Sequence, residues 1–202
     1  MKRRALLKAL IPAPFVMASA EDFLPLFNGR DLDSWQQDTP GVWSVRDGMI
    51  VGRHDGLKHN DFLRTRRSYG DFLLKLRFQL VGGEGNSGIQ FRSKPVPGSH
   101  EVSGYQADIG QEYWGCLYDE SRRNRVLVQA SPASLKDLDR TAWNEYTVSA
   151  RGSRITLELN GRRTVDYTEA DPGIEREGFI ALQVHSGTRI EVRFKYVRIA
   201  VL

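Results

Sequence analysis

Four short segments of the chain alternate apolar side chains with polar ones. They run from Gly88 to Arg92, from Gly104 to Ile109, from Gly115 to Glu120 and from Ala181 to Ser186. Successive side chains of a β-strand point to opposite faces, so each segment is predicted to separate its two sets. If the segments lie in one sheet, that sheet has one apolar face and one polar face. The polar face would carry Gln90, Arg92, Gln106, Asp108, Cys116, Tyr118, Glu120, Gln183 and His185.

Strand and turn patterns continue through most of the remaining chain. Residues 72–80 alternate apolar and polar side chains, while Asp47-Gly48 and Asn160-Gly161 separate pairs of strand-like segments. Such dipeptides are strong hairpin signals. The apolar phase of residues 190–194 resumes shifted by one over residues 197–201, which predicts a β-bulge. Many short strands with evenly spaced turns predict an all-β protein, a sandwich or jelly roll of two antiparallel sheets.

The first twenty residues have the layout of a secretory signal peptide. Basic residues precede and interrupt an apolar run that ends in Ala18-Ser19-Ala20, and Arg3-Arg4 resembles a twin-arginine export signal. We therefore predict a leader at residues 1–20, a single domain at residues 21–202, and a periplasmic or secreted location. No later stretch is long and apolar enough to predict a membrane span.

The charge balance depends on this leader. The chain has 29 Lys and Arg against 25 Asp and Glu, and four of the basic residues lie in the leader, which has no acidic residue. The predicted mature chain is therefore balanced, which argues against a nucleic-acid partner. We see no sign of an obligate protein partner.

Composition also limits the cofactor chemistry. Cys116 is the only cysteine, so an internal disulfide is excluded. His54, Asp55, His59 and Asp61 form a polar cluster, but their spacing matches no metal-binding motif. No glycine-rich phosphate motif is present. We therefore predict neither a metal nor another cofactor.

Several motifs, taken in order, resemble a known family. They are LFNGRDLDSW, WSVRDGMIVG, YGDFLLKLRF, NSGIQFR, GYQADIG, WNEYTV, ELNGRR, GFIALQVHSG and the terminal VRFKYVRIAVL. This order is similar to that of the 3-keto-disaccharide hydrolase family, from about Leu26 to Leu202. The resemblance implies a concanavalin A-like jelly roll and cleavage of glycosides whose sugar carries a ketone at carbon 3.

One position departs from the family pattern. Members often have Glu where this chain has Gln106. If that Glu carries a proton in its relatives, its work falls here to Asp108 or Glu120. Alternatively, the chain belongs to a subgroup with different substrates, for which the segment WGCLYDESRR looks characteristic.

A 3-keto group acidifies the hydrogen on carbon 2, which permits elimination of the glycosidic oxygen and later addition of water. This route needs a base, a proton donor and a group that stabilises the enolate. We predict Asp108 or Glu120 as base, His185 as acid or base partner, and Arg92 as the cation near the carbonyl oxygen. The predicted substrate-binding residues are Gln90, Gln106 and Gln183 for hydroxyl groups, with Trp114 or Tyr118 stacking on a sugar ring.

The alternative is a non-catalytic, lectin-like carbohydrate-binding module, because jelly rolls hold lectins as well as enzymes. Such a module could bind sugar through amides and aromatic rings alone. It would not need Asp108, Glu120 and His185 in one cavity.

Overall fold

The computed structural model describes residues 23–202, so the predicted leader lies outside the described residues. The strands are β1 (Leu24–Pro25), β2 (Trp35–Gln36), β3 (Trp43–Arg46), β4 (Met49–His54), β5 (Asp61–Tyr69), β6 (Phe72–Leu80), β7 (Asn86–Pro95), β8 (Val102–Gly110), β9 (Leu117–Glu120), β10 (Arg125–Val128), β11 (Asn144–Arg151), β12 (Arg154–Leu159), β13 (Arg162–Thr168), β14 (Gly178–Val184) and β15 (Ile190–Val201). The helical segments of this part of the chain are two short 3-10 turns, Val81–Gly83 and Gln111–Tyr113.

The strands form two antiparallel sheets packed face to face. The first sheet has the order β13-β12-β11-β6-β15-β4-β3, with β1 paired to β15, and the second has the order β10-β9-β8-β7-β14-β5-β2. The predicted all-β sandwich of two antiparallel sheets is confirmed. Over residues 23–202, no helix has the length and hydrophobicity required to cross a membrane.

The core lies between the sheets and follows the alternation of the strands. In β6, every second side chain from Phe72 to Leu80 is buried. Phe78 lies 5.6 Å from the ring of Tyr146 in the same sheet and 6.2 Å from the ring of Trp114 (centroid distances). Aromatic pairs at such separations add to the stabilisation that burial alone provides.

The predicted turns and bulge are present. Asp47-Gly48 joins β3 to β4 and Asn160-Gly161 joins β12 to β13, with positive φ at all four residues. This is the conformation that a two-residue type I′ hairpin requires. The register of β15 against β6 shifts between Lys195 and Arg198, which confirms the bulge.

The far end of the β7–β8 hairpin is bent. Its ladder shifts register between Phe91 and Lys94, and Arg92 within the shift has φ of +48°. A bulge of this kind turns a strand pair away from the plane of its sheet. We call residues 94–103, the part of the hairpin beyond the bend, the flap.

The flap folds back over the outer face of the second sheet. Val102 packs with Phe62 in a small apolar cluster on that face, and Asn60 donates to Glu101 Oε2 across 3.1 Å. Asn60 immediately precedes β5, and strand pairing places the start of β5 near the start of β7. The flap, in contrast, lies at the end of β7. The tip of the flap therefore reaches back along the sheet.

Candidate active site

Strand alternation places the polar side chains on the outer face of the second sheet, beside the flap. We call this the site face. On β8, Tyr105, Ala107 and Ile109 join the core, so Gln106 and Asp108 point to the site face. Strand pairing aligns the neighbours, with Gln106 opposite Tyr118 of β9.

A cavity of about 140 Å³ opens on this face. Five predicted residues line it: Gln106, Asp108, Tyr118, Glu120 and His185. Asn60, Asn86, Gln111 and Tyr113, which the sequence analysis did not predict, complete the wall. Asn86 could have been found, because it begins β7 in phase with Gly88 and Gln90. Asn60 could not, because it lies in a loop that only the fold brings to the cavity.

Asp108 is the most deeply buried carboxylate of the cavity. Its side chain accepts hydrogen bonds at Oδ1 from Asn86 Nδ2 (3.2 Å) and Gln106 Nε2 (3.1 Å), and the Cys116 thiol lies 3.8 Å from Oδ2. Burial raises the pKa of Asp108 to about 8, against the lowering effect of the hydrogen bonds from Asn86 and Gln106. At neutral pH this group is mostly protonated and can act as a proton donor.

Glu120 is the second carboxylate of the cavity. Burial, followed by the charge of Glu101 on the flap, raises its pKa to about 7, while the N–H of Ser121 opposes the shift. A carboxyl group with this pKa is partly ionised at neutral pH and can act as a base. The negative charge of Glu120 also contributes to the raised pKa of Asp108.

His185 presents one ring nitrogen for chemistry. Its Nδ1 lies 2.8 Å from the carbonyl oxygen of Ser186, and because a carbonyl can only accept, Nδ1 carries a proton. In the neutral ring, Nε2 therefore holds the lone pair. The backbone carbonyl of His185 in turn lies 2.9 Å from Nε2 of His54, whose Nδ1 accepts from the N–H of Gly56. His54 thus helps to position the backbone of His185.

A line of amides runs into Asp108. Ser93 Oγ donates to Gln90 Oε1 (3.0 Å), Gln90 Nε2 donates to Gln106 Oε1 (2.8 Å), and Gln106 Nε2 donates to Asp108. Gln106 lies flat over Gly88, where an added Cβ would come within 2.5 Å of the Gln106 side chain. An ionised Glu at this position could not donate to Asp108, so the amide fits the site that the structure shows.

Arg92 lies outside the cavity, which corrects the expectation that it faces the carboxylates. Its Nε donates to the Gly70 carbonyl (3.0 Å), Nη1 to the Gly152 carbonyl (2.7 Å) and Nη2 to Asp71 Oδ1 (2.8 Å). The alternation of β7 ends at the bulge, so Arg92 does not follow the direction of Gln90. The guanidinium instead anchors the bend that starts the flap.

Three further predicted residues do not line the cavity. Trp114 is 1% exposed and packs in the core beside Phe78, so its ring offers no face to a sugar, which corrects that expectation. Gln90 and Gln183 are on the site face but fully buried. Gln90 is engaged in the amide line, whereas Gln183 makes no side-chain hydrogen bond to any described residue.

The polar cluster near His54 disperses into separate contacts. Asp61 accepts from Trp43 Nε1 (2.6 Å), Asp55 pairs with Arg53, and the ring of His59 stacks on that of His100. Across residues 23–202, no group of three or more His, Cys, Asp or Glu side chains is arranged to hold a metal ion.

The sequence profile of the 3-keto-alpha-glucoside-1,2-lyase-like domain matches residues 22–200. The chain belongs to this family. The resemblance read from the motifs is thereby confirmed, and membership supports a carbohydrate-related function of the glycoside hydrolase type. No curated protein sequence matches the chain significantly.

Solved structures share the fold of this family member. A protein from Parabacteroides distasonis ATCC 8503, provisionally described as a glycosyl hydrolase, has 19% identity and a TM-score of 0.66 over 92% of this chain and 98% of its own. The carbohydrate-binding module CBM66 from Bacillus subtilis has 20% identity and a TM-score of 0.64, covering 81% and 93%. The β-glucanase of Bacillus licheniformis has 11% identity and a TM-score of 0.63, covering 89% and 97%. At these identities the likeness shows the jelly-roll fold alone.

The cavity of this family member contains groups for both directions of proton transfer. Asp108 with its raised pKa can give a proton, Glu120 can take one, and His185 Nε2 can do either according to its charge. Tyr118 adds a hydroxyl donor, and burial raises its pKa, so it stays protonated. Two carboxyl groups held in different environments are a common way to obtain an acid and a base at one pH.

Proposed function

We propose that this protein is an enzyme that cleaves 3-keto-glycosides by removing the proton on carbon 2, eliminating the glycosidic oxygen and adding water. The observation that carries the proposal is the placement of Asp108 and Glu120, both with raised pKa, in one cavity beside His185. A surface that only binds sugar has no need for two carboxyl groups poised near neutral pH.

In the first stage, Glu120 takes the proton from carbon 2, and the electron pair moves toward the ketone at carbon 3 as an enolate. The enolate then reforms the ketone while the bond from carbon 1 to the glycosidic oxygen breaks. Asp108 supplies the proton that this leaving oxygen requires. The product is an enone with a double bond between carbons 1 and 2, together with the free aglycone.

In the second stage, water adds to carbon 1 of the enone and a proton returns to carbon 2. His185 Nε2 accepts the proton of the water, and protonated Glu120 returns the proton to carbon 2. The proton held by His185 then replaces the one that Asp108 gave to the leaving oxygen, which restores the starting state. The sum is hydrolysis, and release of the enone before hydration would make the same site a lyase.

Because Arg92 is held at the bend of the flap, the enolate needs a different stabilising group. Tyr118 lines the cavity and carries a hydroxyl donor, and hydrogen-bond donors aimed at a developing oxyanion commonly lower such barriers by about 3–4 kcal/mol. We assign this role to Tyr118, in place of the cation that the sequence analysis predicted.

The test is turnover of a 3-keto-disaccharide in D₂O, followed by NMR and mass spectrometry. We expect free sugar or the enone, with deuterium at carbon 2 of recovered substrate or of the hydrated sugar; the enone itself has no hydrogen at carbon 2. Glu120→Gln should abolish deuterium incorporation, and Asp108→Asn should lower turnover. Absence of both turnover and exchange in a folded sample, across several aglycones, would refute the proposal.

A non-catalytic carbohydrate-binding module is the second candidate, and the amides in the cavity wall favour it: Asn60, Asn86, Gln106 and Gln111. Amides can hold hydroxyl groups without any proton transfer. The neutral variants of Asp108, Glu120 and His185 separate the two functions. Lost turnover with retained sugar binding supports the enzyme, whereas sugar binding without turnover in the wild-type protein supports the module.

We also propose that the protein is exported, on the strength of the leader pattern in residues 1–20. Expression of the full chain with a C-terminal tag, followed by cell fractionation, tests this. A processed chain outside the cytoplasm is expected, and an unprocessed cytoplasmic chain would contradict the export proposal without touching the proposed chemistry.

A further inference from the structure

Gln183 is an unusual residue of the site face. Its side chain is fully buried, and neither Oε1 nor Nε2 has a hydrogen-bond partner among the described residues. An unsatisfied buried polar group commonly costs about 1–3 kcal/mol. Buried amides in proteins nearly always have a hydrogen-bond partner, so the partner of Gln183 is expected to come from outside the described residues.

The position of Gln183 connects it to the cavity. Gln183 on β14 pairs with Gly88 on β7, and Gly88 pairs with Asp108 on β8. Glycine contributes no side chain, and the side chain of Gln106 lies over Gly88 between Gln183 and the carboxylate. The amide therefore adjoins the catalytic cavity on the side toward β14.

The flap packs against the neighbours of Gln183. Val102 of the flap packs with Phe62, Phe179 and Ala181, and Phe62 is the β5 residue that pairs with Gln183. The tip of the flap is held by weak polar contacts, the hydrogen bond between Asn60 and Glu101 and the stacked rings of His59 and His100, whose centroids lie 3.6 Å apart. Such contacts can break while the bend at Arg92 stays anchored.

The cavity beside Asp108 is small for a disaccharide. Pockets that enclose drug-sized ligands usually measure about 300–1,000 Å³, whereas the cavity beside Asp108 measures about 140 Å³. With the flap down, this space suits little more than the reacting part of one sugar. A second sugar unit would extend beyond this cavity.

We propose that Gln183 forms a second sugar subsite beneath the flap, where its amide hydrogen-bonds hydroxyl groups of the leaving sugar of a 3-keto-disaccharide. The flap lifts to admit the disaccharide and then closes over it. This inference rests on the proposed function for the identity of the sugar, and its position follows from Gln183 itself.

The test compares two substrates on Gln183→Met, which removes the amide but keeps the length of the side chain. The probes are 3-keto-maltose and methyl 3-keto-α-glucopyranoside, which lacks the second sugar. For 3-keto-maltose, kcat/KM should fall about tenfold, the size expected when one or two hydrogen bonds are lost. For the methyl glycoside it should change less than about twofold. Gln79→Met, on the first sheet, is the matched control and should leave both substrates unaffected.

The folding stability of Gln183→Met should equal or exceed that of the wild type, because an unsatisfied amide is replaced by an apolar group of similar shape. Equal losses on both substrates, or no loss on either, would overturn the subsite. The second of these outcomes is expected if the amide merely binds a structural water.

A wild type that cleaves neither substrate would refute the proposed function, and the subsite would then be decided by NMR. The side-chain amide signals of Gln183 can be assigned by their absence from the Gln183→Met spectrum. Shifts that saturate with 3-keto-maltose, but not with the methyl glycoside, would support the subsite without any turnover. Signals that respond to neither sugar would refute it.

Discussion

Replacement of Asp108 by Asn should make the protein more stable and less active at the same time. Burial raises the pKa of Asp108 to about 8 in the folded state from the ordinary 3.8. Between these two values the folded state keeps a proton that the unfolded state has lost. Stability therefore falls as pH rises through this window, by about 1.4 kcal/mol per pH unit.

The expected size follows from the same window. At pH 7 the side chain is about three pH units above its unfolded pKa, so burial of this carboxyl group costs on the order of 4 kcal/mol. Asn is neutral in both states, and its carbonyl oxygen can still accept from Asn86 and Gln106. Asp108→Asn should therefore gain up to about 4 kcal/mol at pH 7 and little near pH 4. Turnover should fall by about 10²–10⁴, the usual contribution of a general acid.

Urea unfolding of both proteins at intervals from pH 4 to pH 8 measures this difference. Asp166→Asn is a suitable control, because hydrogen bonding to Arg154 lowers the pKa of that exposed carboxylate, so its removal should bring no gain as pH rises. If the free energy of unfolding changed in parallel for the wild type and Asp108→Asn from pH 5 to pH 8, the Asp108 carboxyl group would not be held protonated. The assignment of Asp108 as proton donor would then fail.

The remaining predictions concern the base, the flap and two residues relocated by the structure. Glu120→Gln should lower kcat/KM by about 10²–10⁴ and remove the acid limb of the pH–rate profile; a retained acid limb would show that another group is the base. Glu101→Gln removes a charge that raises the pKa of Glu120, so the acid limb of the pH–rate profile should move to lower pH, and an unmoved limb would contradict this coupling. Arg92→Met leaves two backbone carbonyls and a carboxylate without their partner; it should cost about 2–3 kcal/mol in urea unfolding, and a smaller cost than about 1 kcal/mol would count against the anchor. Trp114→Phe should lower stability by about 1–2 kcal/mol with KM unchanged, and a raised KM would indicate that this ring contacts the substrate after all.

Much of the fold could be predicted because its strands alternate regularly. The two-residue period survives along β6 and β8, so the core residues and the outward direction of Gln106 and Asp108 follow from the sequence alone. Asp47-Gly48 and Asn160-Gly161 determine their hairpins locally. In each of these cases, the information needed for the prediction lies within a few adjacent residues.

The predictions failed where that period is broken or does not apply. At Arg92 an extra residue in the strand changes the direction of the side chain, and nothing in the local pattern marks the bulge. Trp114 follows a 3-10 turn and lies outside any strand, so the alternation of strand side chains could not predict the direction of its ring. The flap and Asn60 depend on a contact between loops about forty residues apart, Asn60 with Glu101, which no local pattern reports.

Strand β8 also limits how this protein can diverge. Its odd-numbered residues from Tyr105 to Ile109 fill the interior, and its even-numbered residues Gln106 and Asp108 line the cavity, where Asp108 is the proposed proton donor. A single inserted or deleted residue here would exchange the two sets, so that the apolar side chains would face solvent and the polar side chains would face the core. New specificities in this lineage should therefore arise through changes in the length and composition of the hairpin tip at residues 96–101, while the strand beneath it stays constant.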